Sequence, residues 1–537
     1  MNLAVSKVHF QNGQALSFLP GEIVLVVGKN SSGKSTFLRE ISACLADFES
    51  HKKIIKDITF AGASVNEIEK RVYSYFRVIE EGPLRYVPDD RGNAEFHLPA
   101  LDGDPNRFKL GKASQAFVTL LNAEGRLALT RDVDTIDIHI TKARHPFHMF
   151  MVDPAILASA SAVIKRAFSL NISINRIGNP IRGYVAPEFA DDNTLSGDRS
   201  LPQVAERLVA QGDGLRSYVG IIGELHAMSH PIVLIDEPEA FLHPPQAKRL
   251  GRDVVTGLGP DRQAFIATHN SNFLQGAIAN LESRIRVLRL GREGKASSVT
   301  DIGHGSLKEA EKLPAVANTN LLDSLFYDRT VICEADADAK LFERLLSRDE
   351  QERFWFSSGG KHQVKKVALL LNKFGVDWRA VLDLDALLDW ALLTEIAQLK
   401  GLDIGSHKKA VASALRAMLP PDLAAVRHAA QHALFGETDD ESAINNALKE
   451  LQARKISTPL KQNGLSAVPK GQERVAVEAL LSSLRERGIL LLSKGELECY
   501  VPTAGGHGPA WVNTVLESPD EYSSELDQLR DELALVV

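Results

Sequence analysis

Ile23-Val24-Leu25-Val26-Val27-Gly28-Lys29-Asn30-Ser31-Ser32-Gly33-Lys34-Ser35-Thr36, followed by Phe37-Leu38-Arg39-Glu40-Ile41, decides the fold of this chain. Five consecutive apolar residues suit a buried strand, and the residues after Thr36 suit a helix. Between them lies the spacing G-x-x-x-x-G-K-[ST]. Its glycines let backbone N–H groups turn inward around phosphates, and the helix N-terminus adds its positive dipole end. Asn30, Ser31, Ser32, Gly33 and Thr36 form the cradle, Lys34 is expected to reach the β- and γ-phosphates, and Ser35 to hold Mg²⁺. The stretch implies binding of a nucleoside triphosphate, with ATP as the expected ligand.

Further segments complete that engine. Pro231-Ile232-Val233-Leu234-Ile235-Asp236-Glu237 is an apolar run ending in two carboxylates, the Walker B arrangement. Asp236 is expected to support the Mg²⁺ shell and Glu237 to polarise the attacking water. Ala264-Phe265-Ile266-Ala267-Thr268-His269 is another β run, and His269 at its tip is positioned to sense the γ-phosphate. Gly212-Asp213-Gly214 opens an apolar helical stretch, so Gly212 and Gly214 make a second phosphate-binding turn. Leu195-Ser196-Gly197-Asp198-Arg199 lies too far upstream for that role and reads as a solvent loop. His139, His145 and His148 have no accompanying acid ladder and read as a surface strand, not a metal site. A loop that binds nucleotide but hydrolyses it slowly is the alternative to a working ATPase.

At 537 residues the chain is too long for one core, and its 44% hydrophobic and 24% charged residues are ordinary for a globular protein. A net charge of −7 argues against indiscriminate polyanion binding, leaving room for a local basic patch. Three cysteines give neither a disulfide framework nor a metal spacing. There is no apolar stretch of membrane-spanning length and no leader pattern, so a cytoplasmic protein with no membrane partner is expected.

The second half carries carboxylates at the ends of β runs. Thr330-Val331-Ile332-Cys333 stops at Glu334, with Asp338 one helical turn onward. Trp378-Arg379-Ala380-Val381-Leu382 ends in Asp383-Leu384-Asp385, whose acids point to one side if the segment is extended. In α/β sheets the carboxyl ends of strands form the ligand edge. Four carboxylates gathered there repel one another unless cations sit among them, and an oxygen-only set selects Mg²⁺ or Mn²⁺. Two such ions, roughly 3.5–4 Å apart, suit phosphodiester cleavage. Lys361, His362, Lys365, Lys366 and Lys373 form a basic run beside this set, either a solvated helix face or a phosphate-contacting one.

The spacing from Gly212-Asp213-Gly214 to the Walker B run resembles that of the signature motif in ABC-type ATPases. That likeness implies a homodimer, or a higher even-numbered oligomer, closing over ATP. The ending Asp236-Glu237-Pro238-Glu239-Ala240-Phe241-Leu242-His243-Pro244 resembles the overcoming-lysogenization-defect (OLD) family, to which the Gabija nuclease subunit and retron-associated OLD effectors belong. Glu334-x-x-x-Asp338 with Asp383-x-Asp385 resembles the TOPRIM signature of that family. Glycine usually follows the first acid there, and Ala335 stands in its place. By the same resemblance Gly488 to Tyr500 matches the closing strand, with Glu498 a further metal ligand, Lys494 a phosphate-contacting cation and Glu496 the runner-up ligand.

The implied fold is α/β: an ABC-type P-loop ATPase domain over 1–328, then a parallel-sheet TOPRIM domain over 329–537 with a helical insertion at about 391–480. The acidic tail after Pro519 has no assigned role. The implied activity is an ATP-regulated, metal-dependent DNA endonuclease in antiphage defence. It would use one Mg²⁺ with ATP, two Mg²⁺ or Mn²⁺ at the TOPRIM acids, and possible help from an accessory defence protein. An RNase acting on RNA such as tRNA, and an ATP-driven scaffold that recruits a separate effector, are the alternatives.

Overall fold

The computed structural model describes residues 3–47, 52–61, 63–81, 84–88, 94–97, 110–189, 195–279, 284–293, 296–311, 321–346, 353–418 and 457–536. The chain divides into two compact units, Met1–Lys308 and Glu309–Val537. The division precedes Asp328, where the sequence suggested a change of domain.

The first unit opens with β1 (Ala4–Phe10) and β2 (Ala15–Ser17), then β3 (Ile23–Val27), every residue of which is buried. Helix α1 (Lys34–Ala46) follows the glycine-rich loop, and β4 (Ile55–Ala61) pairs antiparallel with β1. After α2 (Val65–Tyr75) come the short strands β5 (Ile79–Glu81), β6 (Leu84–Pro88) and β7 (Ala94–His97), a small antiparallel sheet. Next are β8 (Val118–Leu121), α3 (Ala123–Ala128), α4 (Pro146–Val152) and α5 (Pro154–Phe168). Strands β9 (Asn171–Asn175), β10 (Arg182–Ala186) and β11 (Glu206–Arg207) form a third antiparallel sheet, with α6 (Leu195–Val204) between the last two.

Helix α7 (Asp213–Ala227) then leads to β12 (Ile232–Asp236), α8 (Pro244–Gly257), β13 (Gln263–Ala267) and α9 (Ser271–Ile278). Strands β14 (Ile285–Glu293) and β15 (Ala296–Ile302) complete the main sheet, whose order is β15-β14-β3-β13-β12-β8. All its pairings are parallel except β14 with β15. The apolar runs become the central strands because they are covered on both faces, the usual condition of parallel sheets. Phe37 of α1 meets Phe265 of β13 edge-on at 6.1 Å, so the helix that starts at the loop is locked to the sheet. Carboxyl ends of β3, β12 and β13 thereby lie side by side.

Two sequence expectations in this unit are corrected. Leu195 to Arg199 is not a solvent loop but the start of α6, where Asp198 is buried and ion-paired to Arg176 at 2.9 Å. His145 and His148 do not lie on a surface strand. His145 caps α4 by accepting from the Phe147 N–H, and His148 lies buried within that helix. Burial pushes His145 down to about 4, so it caps as a neutral ring.

Helix α10 (His304–Glu311) carries the chain into the second unit. There β16 (Arg329–Cys333), α11 (Asp336–Leu345), β17 (Arg353–Ser357), α12 (Lys361–Lys373) and β18 (Asp377–Leu382) alternate in sequence. Helices α13 (Trp390–Leu399), α14 (Lys408–Ala417), α15 (Ser457–Asn463) and α16 (Gln472–Glu486) follow, and β19 (Ile489–Leu491) joins the sheet. The order is β17-β16-β18-β19, all parallel. The polar break Phe435 to Asp440 lies outside the described residues. Last come α17 (Pro509–Glu517) and α18 (Ser523–Ala534). The acidic tail has a structural role after all. Glu532 of α18 is buried and accepts hydrogen bonds from the Ser493 N–H and hydroxyl and from the Tyr500 hydroxyl. No helix among the described residues is long and apolar enough to cross a membrane.

Candidate functional site

The loop after β3 bends through left-handed backbone at Gly28 (φ 141°), Ser31 (φ 64°) and Gly33 (φ 99°). Glycine is required at Gly28, where a Cβ would lie 2.2 Å from the Leu290 carbonyl oxygen. Lys34, buried, turns its Nζ back onto the carbonyls of Gly28 (2.8 Å) and Lys29 (2.9 Å). Ser32 Oγ is buried without a hydrogen-bond partner, an orphan in the middle of the cradle. Asn30 and Ser31 are exposed at the rim, and Thr36 follows Ser35 in the first turn of α1. Ser35 Oγ donates to Asp236 Oδ1 at 2.9 Å, so the two expected Mg²⁺ supports are already side by side. An unpaired hydroxyl, a lysine folded on loop carbonyls and a Ser–Asp pair together fit a triphosphate with its metal.

Glu237 follows the half-buried last residue of β12 with φ 49°, a left-handed setting that costs a non-glycine residue about 1 kcal/mol or more. His269 Nδ1 lies 3.2 Å from Glu237 and 3.3 Å from Glu239. Glu239 is buried, which raises its carboxyl, and its Oε1 accepts from the His269 N–H. The sequence reading assigned Glu239 no role, yet this carboxylate is what holds His269 beside Glu237. Burial lowers Lys34 while the charges of Glu237, Glu239 and Asp236 raise it. Gly212 caps α7, and Gly214 is pressed so close that a Cβ would meet the Phe241 carbonyl oxygen at 2.6 Å.

In the second unit the acids of β16 and β18 meet. Glu334 Oε1 accepts from the Asp383 N–H at 3.0 Å, and its own carbonyl accepts from the Gly360 N–H. Ala335 takes φ −127°, which any residue adopts, and its N–H donates to Asp338 Oδ2. Asp383 and Asp385 are not on an extended segment. Asp383 caps a single 3₁₀ turn, Leu384–Leu388, that contains Asp385. Likewise Glu496 and Glu498 are not on a strand, because β19 ends at Leu491 and Glu496 caps the 3₁₀ turn Leu497–Tyr500. In that turn Glu498 Oε1 accepts from the Gly508 N–H at 2.6 Å and lies beside His507 Nδ1, and its charge still acts on Asp338.

Burial, then the charges of Glu334, Asp338 and Asp385, push the Asp383 carboxyl up to about 8. Asp338 rises to about 6 through burial and the charges of Glu334 and Glu498, and Glu334 is raised mainly by burial. A divalent cation relieves both the burial cost and the repulsion of such carboxylates, and carboxylate oxygens suit Mg²⁺ or Mn²⁺. Ligand atoms of Glu496, Glu498 and His507 also lie within 4.8 Å of one another.

Of the cations the sequence singled out, Lys361 reaches these acids, and Lys461, which it did not single out, joins it. Lys494 Nζ sits over the Tyr500 ring at 5.1 Å. Lys461 of α15 instead reaches Asp383 (3.6 Å), Asp385 (3.9 Å) and Glu496 (3.9 Å), and Lys361 pairs with Asp385 at 3.1 Å. The rest of the basic run is largely taken up: His362 with Asp389, Lys365 with Glu395, Lys373 with Glu309. Lys461 arrives because α15 crosses the Ser493–Glu496 segment at close range. At Gly495 (φ 108°) a Cβ would lie 2.0 Å from the Lys461 carbonyl oxygen, which accepts from the Glu496 N–H. No motif surrounds Lys461 in the sequence. The glycine pair Gly464 and Gly495 was the one signal that could have pointed to the crossing.

Residues 23–275, just under half of the chain, match the protein family described as an AAA domain, putative AbiEii toxin of a type IV toxin–antitoxin system. No curated protein matches the chain. Among solved structures, an SMC head bound to the C-winged-helix domain of ScpA aligns at 13% identity. It covers 57% of this chain and 100% of its own, with a TM-score of 0.37. The SMC head domain from Thermotoga maritima aligns at 12% identity, covering 56% of this chain and 100% of its own, with a TM-score of 0.30. Likenesses this slight carry no argument. The family match and the cradle geometry agree on one statement: the first unit is an ATP-binding, P-loop ATPase-type α/β unit.

Proposed function

We propose that the chain is an ATP-controlled, divalent-metal-dependent endonuclease that cuts DNA, built as the resemblance to the OLD family implies. The observation that carries this reading is the gathering of acids at the carboxyl ends of parallel strands: Glu334 accepts from the Asp383 N–H, Lys461 reaches both Asp383 and Asp385, and the charges of Asp338 and Glu498 act on this set. On this reading 1–328 is the ATPase part and 329–537 the TOPRIM part, its helical insertion running over about 391–480. Glu334, Asp338, Asp383, Asp385 and Glu498 hold two Mg²⁺ or Mn²⁺ ions, which when bound supply water activation and neutralise charge on the cleaved phosphate. Lys461 and Lys361, and Lys494 after a rotamer change, contact phosphate without reading sequence.

In the first unit Lys34 and the loop N–H groups bind the triphosphate, and Ser35 and Asp236 hold its Mg²⁺. Glu237 orients the attacking water, with His269 set beside it. The turn at Gly212 and Gly214 meets the nucleotide of a second copy, making a homodimer whose closure reports ATP. The family description mentions a toxin–antitoxin system. That setting accords with a cytoplasmic defence role.

The test is plasmid DNA with Mg²⁺ or Mn²⁺, with and without ATP, using wild type, Lys34→Ala and Asp383→Ala. Metal-dependent nicking lost in Asp383→Ala, and ATP dependence lost in Lys34→Ala, support the reading. Cleavage of a matched RNA but not DNA redirects the substrate. Biological activity that survives Asp383→Ala but not Lys34→Ala makes the chain a scaffold instead.

A further inference from the structure

Arg126 of α3 is fully buried, and the sequence gives no hint of a role for it. Its guanidinium makes four hydrogen bonds to three different elements. Nη1 donates to the carbonyls of Leu121 (3.0 Å) and Asp236 (2.5 Å), and Nη2 to the carbonyl of Glu237 (3.0 Å). Nε donates to the Ser217 hydroxyl of α7 at 2.9 Å. One planar cation thus grips the end of β8, both carbonyls at the tip of β12 and the second turn of α7.

The surroundings make this grip stiff. α7 passes so close to α3 that a Cβ on Gly220 would lie 2.3 Å from the Arg126 carbonyl oxygen. Arg216 of α7 ties back to α3 and its end through the Leu127 carbonyl and the Thr130 hydroxyl, both at 3.2 Å. Glu237 holds the left-handed φ of 49° that other residues must enforce. The Arg126 bond to its carbonyl is placed to do so.

We infer that Arg126 is a positioning residue for ATP hydrolysis, which fixes the Glu237 backbone and makes its setting depend on where α7 lies. The inference rests on the reading of the first unit as an ATPase. A guanidinium is rigid and planar, so a displacement at Ser217 is passed to the Asp236 and Glu237 carbonyls in the same plane. Helix α7 is capped by Gly212 and carries Gly214 in its first turn, so whatever seats that end also sets the carboxylate that orients water. Arg126 is fully buried and bonds only protein groups, so it acts through Glu237.

The test separates nucleotide affinity from turnover in the full chain. Arg126→Lys, Ser217→Ala and Ser217→Thr are compared with wild type by fluorescent-ATP titration, phosphate release and thermal melting. Arg126→Lys is expected to lower kcat about 10- to 100-fold while the Kd for ATP stays within about twofold, since small misplacements of a catalytic group cost rates of that order. Ser217→Ala keeps both β12 carbonyls paired and lowers kcat by roughly 3- to 10-fold. Ser217→Thr returns the hydroxyl and recovers the rate. Should Arg126→Lys fail to fold, Ser217→Ala and its threonine rescue decide the matter. Folded variants with wild-type kcat, or a kcat loss that merely tracks loss of ATP binding or of folded protein, overturn the inference. A wild type that binds ATP through Lys34 but never hydrolyses it overturns the ATPase reading itself, and the role of Arg126 falls with it.

Discussion

Replacing Asp383 by Asn removes one charge from the crowded acid cluster while keeping the side chain's size and the backbone N–H that Glu334 accepts. The carboxyl is pushed from an ordinary 3.8 up to about 8 by burial and by Glu334, Asp338 and Asp385. The folded state therefore keeps a proton that the unfolded chain releases over that interval. Stability of the metal-free protein falls as pH rises from about 4 to about 8, and the Asn variant lacks that loss. Each pH unit of such a gap corresponds to about 1.4 kcal/mol. The raised value already includes the pull of Lys461, and a side chain still 23% exposed to solvent screens much of the gap. We expect Asp383→Asn to stabilise the metal-free protein by about 1–3 kcal/mol above pH 8, roughly 2–10 °C in melting midpoint. The gain should vanish near pH 4. Melting curves in EDTA and in Mg²⁺ at several pH values measure both halves, because Mg²⁺ should raise the wild type at pH 8 and the variant far less. A variant that melts below wild type at pH 8.5 in EDTA, or an equal Mg²⁺ response in both proteins, refutes the reasoning.

Glu237→Gln should bind ATP but hold it uncleaved, so light scattering with ATP is expected to register a persistent dimer; an unchanged mass argues against dimer closure. Lys461→Ala removes the amine that neutralises Asp383, Asp385 and Glu496. Calorimetric Mn²⁺ binding is then expected to tighten by about tenfold, the worth of one partly exposed charge, and weaker binding would contradict an ion seated among these acids. Glu532→Ala strips acceptors from the Tyr500 hydroxyl and the Ser493 N–H. It should cost about 2–3 kcal/mol by leaving buried donors unpaired, seen as a lower melting midpoint, and an unchanged midpoint would show that the tail is dispensable.

What was legible in the sequence was local. The apolar runs that became β3, β12 and β13 are each contiguous, and each ends at the residue that matters. Glu334 and Asp383 were legible for the same reason, as acids directly after strands. The segments after those strands were not. Asp383-x-Asp385 and Glu496-x-Glu498 look alike whether extended or wound into a 3₁₀ turn, and tertiary packing chose the turn. His145 and His148 misled because a Pro146-initiated helix and a short strand share the same few apolar residues.

By itself, then, the order of residues determined a phosphate cradle on a buried parallel strand and a set of acids at the tips of later strands. Strand formation and glycine-rich turns depend on neighbours in the chain, which a sequence displays. That Lys461 faces those acids, and that Arg126 grips Glu237, was decided by the tertiary structure alone. Lys461 and Arg126 reach their partners from distant segments, through close approaches at Gly495 and Gly220 that no spacing in the sequence encodes.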